Sequence, residues 1–317
     1  MLTSFFGKSK PIHFLIVSLY LMLSYVFWLF LDPPLIISLE FIVNSLLTAL
    51  ALVFLLLLLD FIIRKNNLTG KNTYAMLVFC CFIILIPAIF SSASILISNL
   101  FILLAMRRIV SLNSKKKTQK KILDAALYIS IATLFNFWSI LFFIVLYFAI
   151  FLKTDKKYKE FLIPTMGVFA VGLIGSSYTI LRGETFNSFF KINTSVLWDF
   201  SAYQSIGLLL AASTLLTLML WTLSYRILSI SSAAKKERPK VLLLIIILLI
   251  CLLISILTPI KTGAELFFVL APLAIITTNY IESRNSRASK KQKRSQFWFK
   301  EFILWLVVLL PLVVALL

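Results

Sequence analysis

The sequence predicts an all-α protein, a polytopic bundle of about eleven transmembrane helices with its N-terminus in the cytoplasm. Of its 317 residues, 61% are hydrophobic and 14% are charged, and the mean hydropathy is +1.02. A soluble domain carries roughly 25% charged residues, so this composition excludes soluble enzymes and disordered chains. The apolar residues form continuous runs, such as LIIILLICLLISIL, instead of the alternating pattern of a membrane β-barrel.

Eleven apolar segments follow one another along the chain, and each is predicted to form a helix. They are residues 12–31, 35–60, 74–90, 93–106, 122–135, 138–152, 161–181, 204–225, 241–257, 265–281 and 302–317. Only Asn136 and Phe137 separate the fifth segment from the sixth. Two arrangements are therefore open: two short spans joined by a tight turn, or one long helix over 122–152. Basic residues on both flanks favour two spans.

The distribution of basic residues orients these segments. The chain holds 31 Lys and Arg against 12 Asp and Glu, which gives a formal net charge of +19. With the N-terminus in the cytoplasm, every basic residue except Arg182, Lys191 and Lys261 falls on the cytoplasmic side. This asymmetry is the positive-inside pattern of membrane proteins.

A single membrane domain over residues 1–317 is predicted, because no connection is long enough to form a separate folded unit. The longest outer connection is 182–203. The most basic cytoplasmic connections are 107–121, 226–240 and 282–301. We expect these three to contact anionic lipid headgroups and not nucleic acid.

Five of the twelve acidic residues and the three remaining basic residues fall at or near the outer face. They are Asp32, Glu40, Arg182, Glu184, Lys191, Asp199, Lys261 and Glu265. A carboxylate at the edge of the hydrocarbon layer is costly unless it is paired, hydrated or protonated. One hypothesis places these residues in a shared polar vestibule, where Asp32 or Glu40 pairs with a basic residue such as Lys261 or Arg182. The other treats them as unrelated charges in separate connections.

The outer connection 182–203 mixes aromatic and polar residues at a spacing that fits an amphipathic helix on the outer leaflet. Trp198 and Tyr203 are therefore candidate substrate-binding residues beside the outer charges. Two roles remain open for this connection. It would act either as a lid over the vestibule or as an aromatic belt at the membrane interface.

The other polar residues are more typical of helix packing than of a catalytic or metal site. The three cysteines lie inside apolar runs, as small core residues do. We expect Asn44, Asn99 and Asn136 to join helices by hydrogen bonds. No spacing of His, Cys and acidic residues matches a metal site, and no cofactor motif occurs.

Five stretches are distinctive as a set: MLTSFFGKSKPIHF, KNTYAMLVF, NLFILLAMRRIVSL, FNFWSILFF and GAELFFVLAPLAII. Together they resemble a multispanning membrane protein family of Bacteroidota, chiefly flavobacteria, over the length of the chain. The resemblance implies a Gram-negative inner membrane as the location. It implies no functional residues.

Two further stretches are IPAIFSSASILISNLFILLAMRR and KILDAALYISIATLFNFWSILFFIVLYF. They are distantly similar to helices of the glycosyltransferases that use polyprenyl-phosphate sugars. The resemblance implies a polyprenyl-phosphate lipid as partner and a carboxylate in the first outer loop that acts on the acceptor. Asp32 stands at the matching position, and Glu40 is the substitute.

Three functional hypotheses follow. The first is an inner-membrane protein without enzymatic activity that scaffolds or assists envelope assembly, with envelope proteins as partners. The second is a lipid-linked sugar transferase, in which Arg182 or Lys261 contacts the donor phosphate and residues 184–203 form a lid. The third is a transporter or flippase for an amphipathic substrate.

Overall fold

The computed structural model describes residues 2–31, 38–113, 117–153, 157–183, 199–231, 234, 237–259, 261–283 and 290–316. All regular secondary structure in these residues is helical, which confirms the predicted all-α class. The α-helices are α1 (Leu2–Phe6), α2 (Pro11–Leu31), α3 (Leu39–Asn66), α4 (Tyr74–Ile84), α5 (Ala88–Ser91), α6 (Ala93–Val110), α7 (Thr118–Phe135), α8 (Phe142–Phe151), α9 (Tyr158–Leu181), α10 (Ile206–Leu228), α11 (Arg238–Leu257), α12 (Phe267–Glu282) and α13 (Lys290–Leu316). Short 3-10 helices cover Ser111–Asn113, Phe137–Leu141, Ser201–Gln204 and Ala264–Leu266.

Within the described residues, eight helices are long and apolar enough to cross a membrane. They are α2, α3, α6, α9, α10, α11, α12 with the 3-10 helix before it, and the apolar part of α13. Large apolar side chains cover their outward faces; Phe30 is 78% exposed, Ile174 72% and Leu228 76%. Water would not tolerate such a surface, whereas lipid requires it. The chain therefore has the features of a multi-pass membrane protein.

Helix α12 occupies the centre of the bundle. Of its apolar span, 83% is buried inside the protein, compared with 17% for α2 and 22% for α9 and for α10. Because α12 contacts protein and not lipid, it can carry polar residues such as Thr277 and Thr278, which are fully buried. The centre of the bundle is thus the place where polar side chains can be kept away from lipid.

Helices α6 and α7 form an antiparallel pair. Near the start of α6, the Ser98 hydroxyl donates to the carbonyl of Ala132, which lies near the end of α7, at 3.0 Å. Near the other ends of the two helices, Arg108 pairs with Asp124 at 2.9 Å. These two contacts fix opposite directions for the neighbouring helices.

Residues 122–152 form two helices and not one. Helix α7 ends at Phe135, and Asn136 has an extended backbone with φ −142° and ψ 108°. After the 3-10 helix, α8 packs back against both α7 and α6, which one continuous helix could not do. The Asn136 side chain donates to the Thr258 hydroxyl at 3.2 Å. An Asn that bonds elsewhere in this way is a poor residue for a helix interior.

The predicted continuous segment 74–90 is interrupted. Helix α4 ends at Ile84, and the short α5 begins at Ala88, directly after Pro87. Proline has no N–H to donate and disfavours a helical conformation in the residue before it. The helix therefore stops ahead of Pro87, a break that apolar composition alone does not show.

Contacts between neighbouring helices divide the helix ends into two groups, one at each end of the bundle. We call one group the basic end; it carries Arg64, Arg108, Lys153, Arg226 and Glu282. The other group is the opposite end; it carries Glu40, Asn136, Tyr203, Thr258 and Glu265. At the basic end, for example, Glu282 accepts from the Gly70 N–H at 2.7 Å, and Arg107 lies over the Phe61 ring.

Candidate functional site

Three of the predicted site residues meet at the opposite end of the bundle. The Tyr203 hydroxyl donates to Glu265 Oε1 at 2.6 Å, although 62 residues separate them in sequence. The backbone N–H of Gly263 donates to Glu265 Oε2 at 2.8 Å. Glu265 is only 1% exposed, so each oxygen of a buried carboxylate has its own donor. We call Tyr203, Ser255, Lys261, Gly263 and Glu265 the Glu265 site.

The turn between α11 and α12 builds this site. Helix α11 ends at Leu257 because Pro259, two residues later, cannot continue a helix. Gly263 adopts φ +93°, a conformation that favours glycine, and turns the chain toward α12. The Ser255 hydroxyl donates to the Glu265 carbonyl at 2.7 Å and fastens the turn to the last part of α11.

Lys261 lies in the same turn and is 7% exposed. Its Nζ donates to the carbonyls of Ser255 at 2.9 Å and Ile256 at 2.5 Å. The last carbonyls of a helix lack partners within the helix and attract cations. The ammonium also lies 5.8 Å from the centre of the Phe200 ring, within cation–π range. Burial lowers the pKa of Lys261, and the nearby Glu265 carboxylate opposes that change.

The final residues of the connection before α10 are held against this turn. Burial and the bond to Glu265 raise the pKa of Tyr203, so the phenol stays protonated and able to donate. Just before it, Asp199 accepts from the Ser201 N–H at 3.0 Å. The hydrogen bonds from Ser201 lower the pKa of this exposed carboxyl group. Residues 199–204 are therefore held against the central hairpin α11–α12.

A layer of polar side chains lies beneath the Glu265 site. Asn99 Nδ2 donates to the Phe267 carbonyl at 3.4 Å, and Asn136 bonds to Thr258 as described above. The Ser98 and Ser139 hydroxyls are 2.8 Å apart. These contacts confirm that Asn99 and Asn136 join helices. For Asn44 that expectation is wrong, because its side chain is exposed and bonds to no other helix within the described residues.

Of the remaining predicted residues, those that the structure describes lie apart from the Glu265 site. Glu40 is exposed in the first turn of α3, and Arg182 is exposed at the end of α9, with its guanidinium over the Tyr178 ring. Among described residues, neither of these forms an ion pair with Lys261 or Glu265. The other four predicted residues, Asp32, Glu184, Lys191 and Trp198, lie outside the described residues. Of the predicted site residues, those that the structure describes in one place are thus Tyr203, Lys261 and Glu265.

Sequence reasoning missed Ser255 and Gly263 as members of the site. Gly263 ends the short polar interval TPIKTG at 258–263, which separates two apolar segments, and Ser255 lies three residues before that interval. A glycine in such an interval can supply a left-handed turn and a free N–H. The interval was therefore the available signal for a built turn at this end.

The Glu265 site combines a neutral phenol, a buried carboxylate and a buried ammonium group. Within the described part of the chain, two of the three N–H donors of Lys261 are used, which leaves one for an anion. Within the described residues, no group of three or more His, Cys, Asp or Glu could hold a metal ion. Comparison of the chain with protein-family models, curated proteins and solved structures found no match.

Proposed function

We propose that this chain is an inner-membrane protein with eleven spans and a cytoplasmic N-terminus, whose outer end binds a polyprenyl-phosphate-linked substrate. Two features support the topology. The basic residues gather on alternate connections, and the contacts of the helix ends form a basic end and an opposite end. The opposite end then faces away from the cytoplasm.

The observation that carries the binding function is the Glu265 site itself. A lipid-linked phosphate places its charge near the headgroup level, where the helices of the opposite end terminate. Ionisable residues buried at the end of a membrane bundle are costly and mark functional sites by default. Here Lys261 is the cation that would contact the phosphate, and Glu265 holds both the turn that carries Lys261 and the aromatic residue Tyr203.

The site supports binding more directly than catalysis. Both oxygens of Glu265 accept hydrogen bonds from neighbouring residues, so this carboxylate holds Tyr203 and the turn at Gly263 in position. Under the transferase hypothesis, the acceptor carboxylate is Asp32, or Glu40 at the start of α3. Glu40 is exposed at the same end of the bundle, which leaves it accessible to a bound substrate.

Native mass spectrometry of the protein extracted in a mild detergent tests the binding function. We expect a polyprenyl-phosphate or polyprenyl-phosphate-sugar lipid to be retained, and Lys261→Gln to reduce its retention by about tenfold or more. Lys71→Gln, which removes the same charge from an exposed position near the basic end, is the matched control. Equal retention by both variants would contradict the proposal. Envelope proteins bound without such a lipid would favour the assembly hypothesis.

Labelling of single cysteines tests the topology. The native cysteines Cys80, Cys81 and Cys251 are buried and should not react. We expect Lys71→Cys to be labelled only from the cytoplasmic side and Asp199→Cys only from the outer side, since both positions are exposed. Labelling of both from one side would show that the number of spans between them is even.

A further inference from the structure

A cavity of about 370 Å³ lies at the basic end, between α10, α11 and the C-terminal part of α12. The charged residues that line it in the described ranges are Arg226, Glu237, Lys240 and Glu282. The turn after α3 closes another side with Asn67. Binding sites for small molecules begin at roughly 300 Å³, so this cavity is suited to a small polar group.

Arg226 is the unexplained member of this lining. It is half-buried, and within the described residues its guanidinium makes no hydrogen bond or ion pair. Its Nε atom is fully buried and has no partner. A buried polar donor without a partner costs about 1–3 kcal/mol, and more when it is charged. Such a group beside a cavity indicates that a ligand supplies the missing acceptors.

The neighbouring carboxylates do not satisfy Arg226. Glu282 and Glu237 are near enough to interact with its charge but do not bond to it. Glu282 accepts instead from the Gly70 N–H at 2.7 Å and from the Asn72 side chain at 2.6 Å. Glu237 pairs with Lys240 at 3.3 Å and is half exposed, so it keeps free acceptor capacity.

The cavity lies where a lipid headgroup would reach the protein. Helix α10 ends at Leu228 and α11 begins at Arg238, so both helices terminate beside it. Each of these helices packs against α12, while direct contact between α10 and α11 is marginal at most. On α10, Trp221 packs against Phe299 of α13, whereas Leu220 and Ile227 lie on a different flank, where their exposed side chains are suited to acyl chains. An opening toward lipid is therefore part of the site.

We propose that this cavity binds the headgroup of a zwitterionic phospholipid that carries one phosphate diester and one primary amine. Arg226 and Lys240 supply donors for the phosphate, and a guanidinium offers a planar fork that matches phosphate oxygens. Glu237 accepts from the amine. Among the described lining residues, two are basic and two are acidic, and this balance fits a neutral headgroup better than an anionic one.

Lipid titration followed by native mass spectrometry tests this site on the full chain in mild detergent. The probes are phosphatidylethanolamine, phosphatidylglycerol and inorganic phosphate. We expect the ethanolamine lipid to bind more tightly than the glycerol lipid, and Arg226→Gln to weaken its binding by about tenfold or more. Arg107→Gln is the matched control, because Arg107 is also half-buried at the basic end but lies over the Phe61 ring.

Two further variants make the result independent of Arg226. Lys240→Gln should weaken phosphate contact in the same direction, and it keeps the assay informative if Arg226→Gln does not fold. Glu237→Gln should reduce the preference for ethanolamine over glycerol lipid and leave binding of the glycerol lipid unchanged. Equal lipid binding by Arg226→Gln and Arg107→Gln would overturn the proposal. So would equal affinity of the wild-type protein for both lipids, or displacement of the lipid by millimolar inorganic phosphate, which would indicate a soluble ligand.

Discussion

Two glutamates near opposite ends of the bundle each accept a hydrogen bond from a glycine N–H. At the opposite end, Gly263 donates to Glu265 at 2.8 Å; at the basic end, Gly70 donates to Glu282 at 2.7 Å. Their surroundings differ. Glu265 is fully buried and its second oxygen accepts from Tyr203, whereas Glu282 is half-buried and borders the cavity that contains Arg226.

The two ends also differ in the hydrogen-bond partners of the cations Lys261 and Arg226. At the opposite end, two N–H groups of Lys261 donate to carbonyls of α11, and Glu265 holds the turn that carries this lysine. At the basic end, Arg226 has no hydrogen-bond partner among the described residues and borders a cavity. The same glycine–glutamate contact thus stabilises a packed turn in one place and the wall of a ligand cavity in the other. Equivalent substitutions at the two ends should therefore have unequal effects on stability.

Removal of each carboxylate should show the largest difference. Glu265→Ala leaves a buried N–H and a half-buried phenol without an acceptor, and each unmade bond to a charged group costs up to about 3 kcal/mol. We expect a loss of about 3 kcal/mol in the free energy of unfolding, measured by denaturation in mixed detergent micelles. Glu282→Ala is the comparison, and water can replace its bonds at a half-buried position, so we expect about 1 kcal/mol. A larger loss for Glu282→Ala would contradict our account of the two ends.

The sequence predicts the helices better than it predicts their breaks and the polar sites at their ends. Apolar runs and basic flanks define the helices, because lipid tolerates few other sequences in a span. Apolarity could not reveal the break before Pro87, since the residues on both sides of it are apolar. The placement of Tyr203 on Glu265 depends on how α10 and α12 pack, which no local pattern encodes. Arg226 reads in sequence as one more cytoplasmic charge, and only packing shows that it lacks a partner.

The two glycines provide the second comparison. Alanine at Gly263 would have to adopt φ +93°, and its Cβ would lie 2.5 Å from a methyl group of Leu208. The left-handed conformation alone costs about 1–2 kcal/mol, so we expect Gly263→Ala to lose about 2 kcal/mol or more. At Gly70 the new Cβ would meet only flexible side-chain atoms of Asn72 and Glu282 at 3.2 Å. Similar melting temperatures for the two variants in detergent would refute the inferred strain at Gly263.

Tyr203→Phe tests the bond that holds the outer connection. We expect a loss of about 1–2 kcal/mol near neutral pH, because Glu265 Oε1 loses its donor. The pKa of Tyr203 is raised above 10.0 in the folded protein by burial and by Glu265. Its contribution is therefore fully present below pH 10.0 and is lost as pH rises above that value, since the unfolded tyrosine then ionises first.

The measurement is unfolding stability between pH 7 and pH 11 for wild type, Tyr203→Phe and Tyr178→Phe. Wild type should lose stability more steeply above pH 10.0 than Tyr203→Phe does. Lys261 acts in the opposite direction just below pH 10.5, because its lowered pKa means that the unfolded state binds more protons there. That effect is common to all three proteins and cancels in the comparison. The exposed Tyr178 is the control, and its variant should follow wild type.

The smallest effect is expected at the ion pair between Glu237 and Lys240. Both side chains are partly exposed and 3.3 Å apart, and such surface pairs contribute about 0–1 kcal/mol. Glu237→Gln should therefore lose no more than about 0.5 kcal/mol in lipid-free detergent. Phosphatidylethanolamine should then stabilise wild type more than the variant, because a ligand of the folded state adds stability in proportion to its affinity. Stabilisation by the same amount would mean that Glu237 takes no part in binding the amine, and the difference between the cation sites at the two ends would rest on Arg226 alone.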